Sequence, residues 1–219
     1  MTKRRLRRGQ RTLTSRSEGF SDGVFAVAIT LLALDLAHIH ATEHNTLFDS
    51  ITRFWPVLLA FAASFAFIGV AWMNHHNVFA RVKLMSRSLN AMNLLLLAGI
   101  VVIPWATSTL AEALSRSGHH GQQEALLYSV VLIYEAATWF FLFTVLARDP
   151  ELLEDPADAR RFAADRFSSL IGIGTGVVAG LIGFFWSPVV ATILFLTMPI
   201  FFAIVAEGLE SSDETTDRA

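Results

Sequence analysis

Hydroxyl and ionisable side chains interrupt two apolar runs of this sequence. Ser21 and Asp22 lie at the start of the first run, with Arg16 shortly before them, and His75 and His76 lie at the end of the second. Charged groups at membrane depth are costly, so they are retained mostly for function or for a specific internal pairing. Two kinds of chemistry use these residue types: hydrolysis at a serine or metal centre, and a hydrogen-bonded clamp between helices.

The spacing favours the clamp. Adjacent histidines point about 100° apart on a helix, whereas zinc sites on a helix use the i, i+4 spacing, and no third ligand is obvious at this depth. A buried acid is tolerated only with partners, and Trp72 and Asn74 can supply donors beside the histidines. We therefore predict no metal site and no catalytic residue. The predicted structural polar network consists of Arg16, Ser21, Asp22, Trp72, Asn74, His75 and His76.

The first apolar run also carries a stripe at helical spacing. The stripe follows the i, i+3, i+4, i+7 pattern on one helix face and consists of Val27, Thr30, Leu31 and Leu34. Ser21 and Asp22 point away from it. Most such stripes form the contact between two helices. This stripe carries one hydroxyl group, on Thr30, and Asp35 follows at its outer end.

Six apolar runs indicate an all-α integral membrane protein. Of the 219 residues, 53% are hydrophobic and 16% charged, whereas soluble domains carry about 25% charged residues. Each run is near the roughly 20 residues that cross a bilayer. The predicted helices are 17–38, 54–78, 88–112, 124–147, 167–186 and 188–207. The sequence contains no cysteine, which excludes disulfides and thiolate metal sites.

Charge predicts the domain organisation and the orientation. A basic tail, 1–15, precedes a single six-helix transmembrane domain, 16–207, and an acidic tail, 208–219, follows it. With the N-terminus inside, every Lys and Arg except Arg53 and Arg116 falls on the cytoplasmic face, as the positive-inside rule requires. We expect a multi-pass plasma-membrane protein with both termini cytoplasmic. The basic tail is interpreted as a topology signal attracted to the membrane surface, with no nucleic-acid partner.

Two motifs resemble one family. The pattern Arg16-x-x-x-Phe20-Ser21-Asp22, followed by Thr30-Leu31-Leu32, resembles the first helix of the transmembrane protein 175 family of potassium channels. The pattern Trp72-x-x-His75-His76 looks like the second-helix motif of that family. The resemblance therefore implies a bacterial homologue in which the clamp holds the first helix in place and does not touch the ion.

The resemblance also implies a homotetramer with the first helix of each subunit around a central pore. Val27, Leu31 and Leu34 would then form an apolar gate, Thr30 a potassium-favouring hydroxyl ring, and Asp35 the pore mouth. The expected partners are copies of the same chain, monovalent cations and the bilayer, with potassium as the permeant ion and no cofactor. The family commonly has Ile or Leu at the place of Val27, so the constriction should be wider here.

Alternatives to a potassium channel remain open on the residues alone. A proton-coupled transporter could use Asp22, Glu135 and the histidines, and an intramembrane metal-dependent hydrolase could use Ser21, Asp22 and the histidine pair. A carbonyl-ring filter is not available, because the sequence contains no Thr-Val-Gly-Tyr-Gly. Glu135, in the middle of the fourth run, is either a proton or cation site or a carboxylate that reaches a hydrogen-bond partner or water.

Overall fold

The computed structural model describes residues 2–38, 46–115 and 121–199. Helices make up the regular structure of these residues, apart from one isolated β-bridge between Val82 and Leu153. The helices are α1 (Thr2–Leu32), α2 (Leu47–Arg53), α3 (Trp55–Phe79), α4 (Arg87–Ser115), α5 (Gln122–Arg148), α6 (Asp158–Phe185) and α7 (Pro188–Pro199). Short 3₁₀ turns follow α1 at Ala33–His38 and α5 at Pro150–Leu152.

Four helices of the described chain, α3 to α6, are long and apolar enough to cross a membrane. The most apolar window of each has a mean hydropathy between 1.8 and 2.0. The chain is therefore a multi-pass, all-helical membrane protein. The apolar helix α7 is described over Pro188–Pro199, and the rest of the predicted sixth helix lies outside the described residues.

Helix α1 differs from the prediction at both ends. It begins at Thr2, inside the segment predicted to be a basic tail, and its α-helical part ends at Leu32. The first difference has a local cause, because Arg, Lys and Leu are good helix formers. The second is a tightening of the chain into the 3₁₀ turn Ala33–His38, which has 3.0 residues per turn.

Proline and glycine mark the boundaries between helices. Pro56 lies in the first turn of α3, where its missing N–H costs nothing. Gly121 precedes α5 with a φ angle of 125°, which glycine adopts without strain. Helix α6 ends at Phe185 with Trp186 as its C-cap residue, and α7 starts at Pro188.

The glycines of α6 allow it to pack closely on α5. A Cβ atom added at Gly176 would lie 2.7 Å from Ile133 Cγ1, and one at Gly180 would lie 2.9 Å from the Ser129 side chain. Such small residues let helix backbones approach each other in a bilayer. Side chains of α5 therefore pack directly against the backbone of α6 at these glycines.

Two groups of contacts, one in the core and one at an end of the bundle, hold the remaining helices together. In the core, the Ser64 hydroxyl lies 2.6 Å from Thr107 Oγ1 and 2.7 Å from the Tyr128 hydroxyl, which joins α3, α4 and α5. At one end of the bundle, the α3–α4 loop pairs with the α5–α6 loop, and Arg81 Nη1 contacts Asp158 Oδ1 at 3.1 Å. These contacts hold α3 and α4 in a defined position, against which α1 packs.

Candidate functional site: a polar network behind an exposed helix face

A buried chain of hydrogen bonds connects α1, α3 and α4. Asn93 Nδ2 donates to Ser21 Oγ at 3.1 Å, and Ser21 Oγ donates to the Ser17 carbonyl at 2.8 Å. His75 Nε2 lies 2.8 Å from Asn93 Oδ1. Because an amide oxygen only accepts, the Nε2 atom of His75 carries the hydrogen. Ser21, His75 and Asn93 are all buried, so the network is shielded from solvent within a single subunit.

Aromatic rings surround His75. The imidazole is stacked on Phe79, with ring centroids 4.1 Å apart and planes inclined by 13°. Phe25 of α1 lies 5.5 Å away and Trp139 of α5 lies 6.5 Å away, again between ring centroids. His75 is therefore a core residue that contacts rings of α1 and α5 besides making its hydrogen bond to Asn93 on α4.

Asp22 occupies the rim of this network. Trp72 Nε1 donates to Asp22 Oδ1 at 3.0 Å, and the Trp72 and His76 rings are stacked with centroids 6.0 Å apart. Asp22 is exposed in the single subunit, whereas the sequence interpretation required a buried acid. Adjacent helical residues point about 100° apart. Ser21 therefore faces the core, and Asp22 does not.

The predicted network residues are thus only partly brought together. The structure links Ser21 to His75, and Asp22 to Trp72 and His76. Arg16 is exposed, and Asn74 lines a cleft between α3, α5 and α6. Asn93 joins Ser21 to His75, yet the sequence interpretation did not include it. The sequence feature that could have identified Asn93 is its amide side chain inside the third apolar run.

The predicted stripe lies on the outer face of α1. Val27, Leu31 and Leu34 are 58%, 42% and 64% exposed, and Thr30 is also exposed. Thr30 Oγ1 donates to the Val27 carbonyl at 2.8 Å. Phe25, Ala28 and Leu32, on the opposite face of the helix, are buried. Leu34 and Asp35 fall in the 3₁₀ turn Ala33–His38, and the side chain of Asp35 lies outside the described part.

Glu135 is buried without a partner. Its side chain is 0% exposed, and neither carboxyl oxygen has a hydrogen-bond partner. The structure thereby contradicts two of the sequence interpretations, a hydrogen bond to a neighbour and a carboxylate that reaches water. The carboxyl group packs against Gly99 of α4.

These groups are arranged for packing. Asn93 stands between Ser21 and His75, and the Ser21 hydroxyl donates to a carbonyl of its own helix. Among the described residues, no group of three or more His, Cys, Asp or Glu side chains could hold a metal ion. The fold and the site define a multi-pass helical membrane protein in which a polar network anchors one helix and leaves its apolar stripe outward.

Known proteins identify the family. The family model "Endosomal/lysosomal potassium channel TMEM175" matches residues 16–104. A potassium channel of Streptomyces collinus is 37% identical over 77% of this chain and 82% of its own length. One of Chamaesiphon minutus is 35% identical over 78% of this chain and 84% of its own.

A solved structure agrees with these relatives. The crystal structure of a lysosomal potassium-selective channel TMEM175 homolog from Chamaesiphon minutus matches with a TM-score of 0.73 and 31% identity. The match covers 88% of this chain and 97% of that chain. The chain belongs to the TMEM175 family, which confirms the predicted resemblance. Because this is a family of ion channels, the prediction that the chain is not an enzyme is also confirmed.

Proposed function

We propose that the chain is one subunit of a potassium channel whose pore is formed by α1 from four copies. The observation that carries the proposal is the outer stripe of α1, which is exposed on a subunit anchored by its opposite face. One such helix cannot enclose a pathway alone, and a homotetramer around a central axis supplies the other walls. Family membership, with relatives that are potassium channels, supports this assignment.

The three apolar residues of the stripe form the gate in this proposal. An ion that enters a ring of Val27, Leu31 or Leu34 side chains loses hydration without gaining ligands, and a narrow apolar ring also excludes water. Their exposure in the single subunit is compatible with this position. Val is shorter than the Ile or Leu common in the family, so the layer formed by Val27 is the wider one.

Thr30 supplies the selective layer. Its hydroxyl hydrogen is directed to the Val27 carbonyl of the same helix. A hydroxyl oxygen has two lone pairs, and these remain available on the exposed face of α1. Four such oxygens in a ring would replace part of the hydration shell of a potassium ion.

The polar network keeps the stripe pointed at the axis. Ser21 is bonded to Asn93 on α4, and Trp72 of α3 holds Asp22, so rotation of α1 would break contacts with two helices. At the outer end, Asp35 would attract cations to the pore mouth. With six spans and both termini in the cytoplasm of a plasma-membrane protein, the lysine and arginine distribution obeys the positive-inside rule.

Replacement of Thr30 by Val tests the proposal. The change keeps the shape of the side chain and removes the oxygen, so the reversal potential under bi-ionic potassium and sodium should move toward that of an unselective pore. Thr175→Val on α6 is the matched control, because the Thr175 hydroxyl also donates to a carbonyl of its own helix. Absence of potassium current from the reconstituted wild type would refute the function. An unchanged reversal potential in Thr30→Val would exclude Thr30 as the selective layer and would leave the proposed channel function untouched.

A further inference from the structure

The carboxyl group of Glu135 has a place in the fold but no partner. It is fully buried between α5 and α4, and both oxygens are without hydrogen bonds. The space that it occupies exists because residue 99 is glycine, since any side chain there would collide with Oε2. The contact therefore depends on a carboxyl group on one helix and a missing side chain on the other.

No described charge faces this carboxyl group from the neighbouring helices. Helix α4 carries no titratable side chain between its ends at Arg87 and Glu112, α6 carries none beyond Arg166, and α7 carries none. From α3, His75 packs against Trp139, one turn further along α5.

On α5 itself, two tyrosines are the nearest titratable groups in sequence. The Tyr134 hydroxyl donates to the Leu95 carbonyl at 2.9 Å, and the Tyr128 hydroxyl is bonded to Ser64. Neither hydroxyl reaches the carboxyl group of Glu135, because its oxygens have no hydrogen-bond partner.

We propose that Glu135 is a proton-binding site inside the subunit, where the carboxyl group is held as the neutral acid against the backbone of Gly99. An ionised carboxylate in apolar surroundings without a counter-ion or hydrogen bonds is far more costly than a neutral acid, so such a group takes up a proton instead. The ligand is a proton: one O–H bond of a hydronium ion breaks, leaving neutral water, and an O–H bond forms with one carboxylate oxygen. Release of that proton requires α4 and α5 to separate enough to admit water.

The site also has a mechanical connection to α1. Gly99 and Asn93 lie on the same helix, about 9 Å apart along its axis at 1.5 Å per residue. Asn93 is the residue that holds Ser21 of α1. A displacement of α4 that accompanies proton release at Glu135 would therefore reach the network that anchors α1.

Infrared spectroscopy of the purified protein at neutral pH tests the proposal directly. The wild type should show the carbonyl stretch of a protonated carboxyl group, and Glu135→Gln and Glu135→Met should both lose it. Glu151→Gln is the control, because Glu151 is exposed and its replacement should remove carboxylate absorption only. Loss of carboxylate absorption in Glu135→Gln would overturn the proposal.

The wild type alone gives a second test if neither variant assembles. A protonated-carboxyl band should persist at neutral pH, and its absence would overturn the proposal. The unfolding midpoint of the wild type should also fall as the pH is raised above the ordinary range of Glu, because the unfolded chain then releases a proton that Glu135 keeps in the folded chain. A midpoint that does not fall as the pH rises above that range would count against the site. None of these measurements uses ion flux, so they can fail without affecting the proposed channel.

Discussion

Replacement of Asn93 by Leu should destabilise the subunit, because it removes two hydrogen bonds of the polar network. Asn93 accepts from His75 Nε2 and donates to Ser21 Oγ. Leu leaves the buried Nε2–H of His75 without an acceptor. His75 is only 1% exposed, so this loss costs about 1–3 kcal/mol. Ser21 keeps its bond to the Ser17 carbonyl, so the second loss is one net hydrogen bond of about 0.5–1.5 kcal/mol. The expected total is about 1.5–4.5 kcal/mol.

A second substitution distinguishes this mechanism from a simple packing defect. His75→Phe removes the donor that Asn93→Leu strands and keeps an aromatic ring against Phe79. When both partners of a buried hydrogen bond become apolar, much of the penalty disappears. The double variant should therefore be more stable than the sum of the two single effects predicts, by about 1–3 kcal/mol.

The measurement is the free energy of unfolding in mixed micelles during a denaturing-detergent titration followed by tryptophan fluorescence. Asn77→Leu is the matched control, because Asn77 is an exposed asparagine on α3 and its loss should change the stability by less than about 0.5 kcal/mol. If the effects of Asn93→Leu and His75→Phe add without coupling, or if Asn93→Leu behaves like Asn77→Leu, the network does not stabilise the fold as argued.

Three further predictions follow from individual contacts. Gly176→Ala should lower the unfolding free energy by about 1–3 kcal/mol, because its Cβ would collide with a side chain of α5, whereas Gly174→Ala meets nothing within 4 Å and should be neutral; equal effects would refute the close packing. Val27→Asn should raise basal current in bilayer recordings by wetting the apolar ring, and unchanged current would show that Val27 is not a limiting layer. At the start of α2, the Asp49 carboxylate accepts hydrogen bonds from the Thr46 hydroxyl and backbone N–H, and these bonds lower the pKa of Asp49. The stability that they contribute should be present above the ordinary Asp range and be lost as the pH falls through the lowered pKa. Thr46→Val should return the Asp49 pKa toward its ordinary value in an NMR titration, and an unmoved pKa would show that the hydroxyl is not the cause.

Helix positions were accessible from the sequence because they depend on local properties. The second helix was predicted at 54–78 and is Trp55–Phe79, and the third was predicted at 88–112 and is Arg87–Ser115. Apolar length and the cost of unpaired backbone groups in a bilayer dictate such spans. The Gly172-x-x-x-Gly176-x-x-x-Gly180 spacing of α6 is also visible in the sequence, and such spacing permits close helix contact in a bilayer. The family that the resemblance predicted is the one that the comparisons show.

The partners of the polar side chains were decided only by the tertiary structure. Asn93 was visible as an amide in an apolar run, but its position between Ser21 and His75 depends on how α1, α3 and α4 are rotated against one another. The same rotation places Ser21 in the core and leaves Asp22 at the rim. Glu135 is buried without a hydrogen-bond partner, and Gly99 faces it across the α4–α5 contact. Hydrophobic periodicity is a property of one helix, whereas hydrogen bonds between helices require a register that distant parts of the chain determine together.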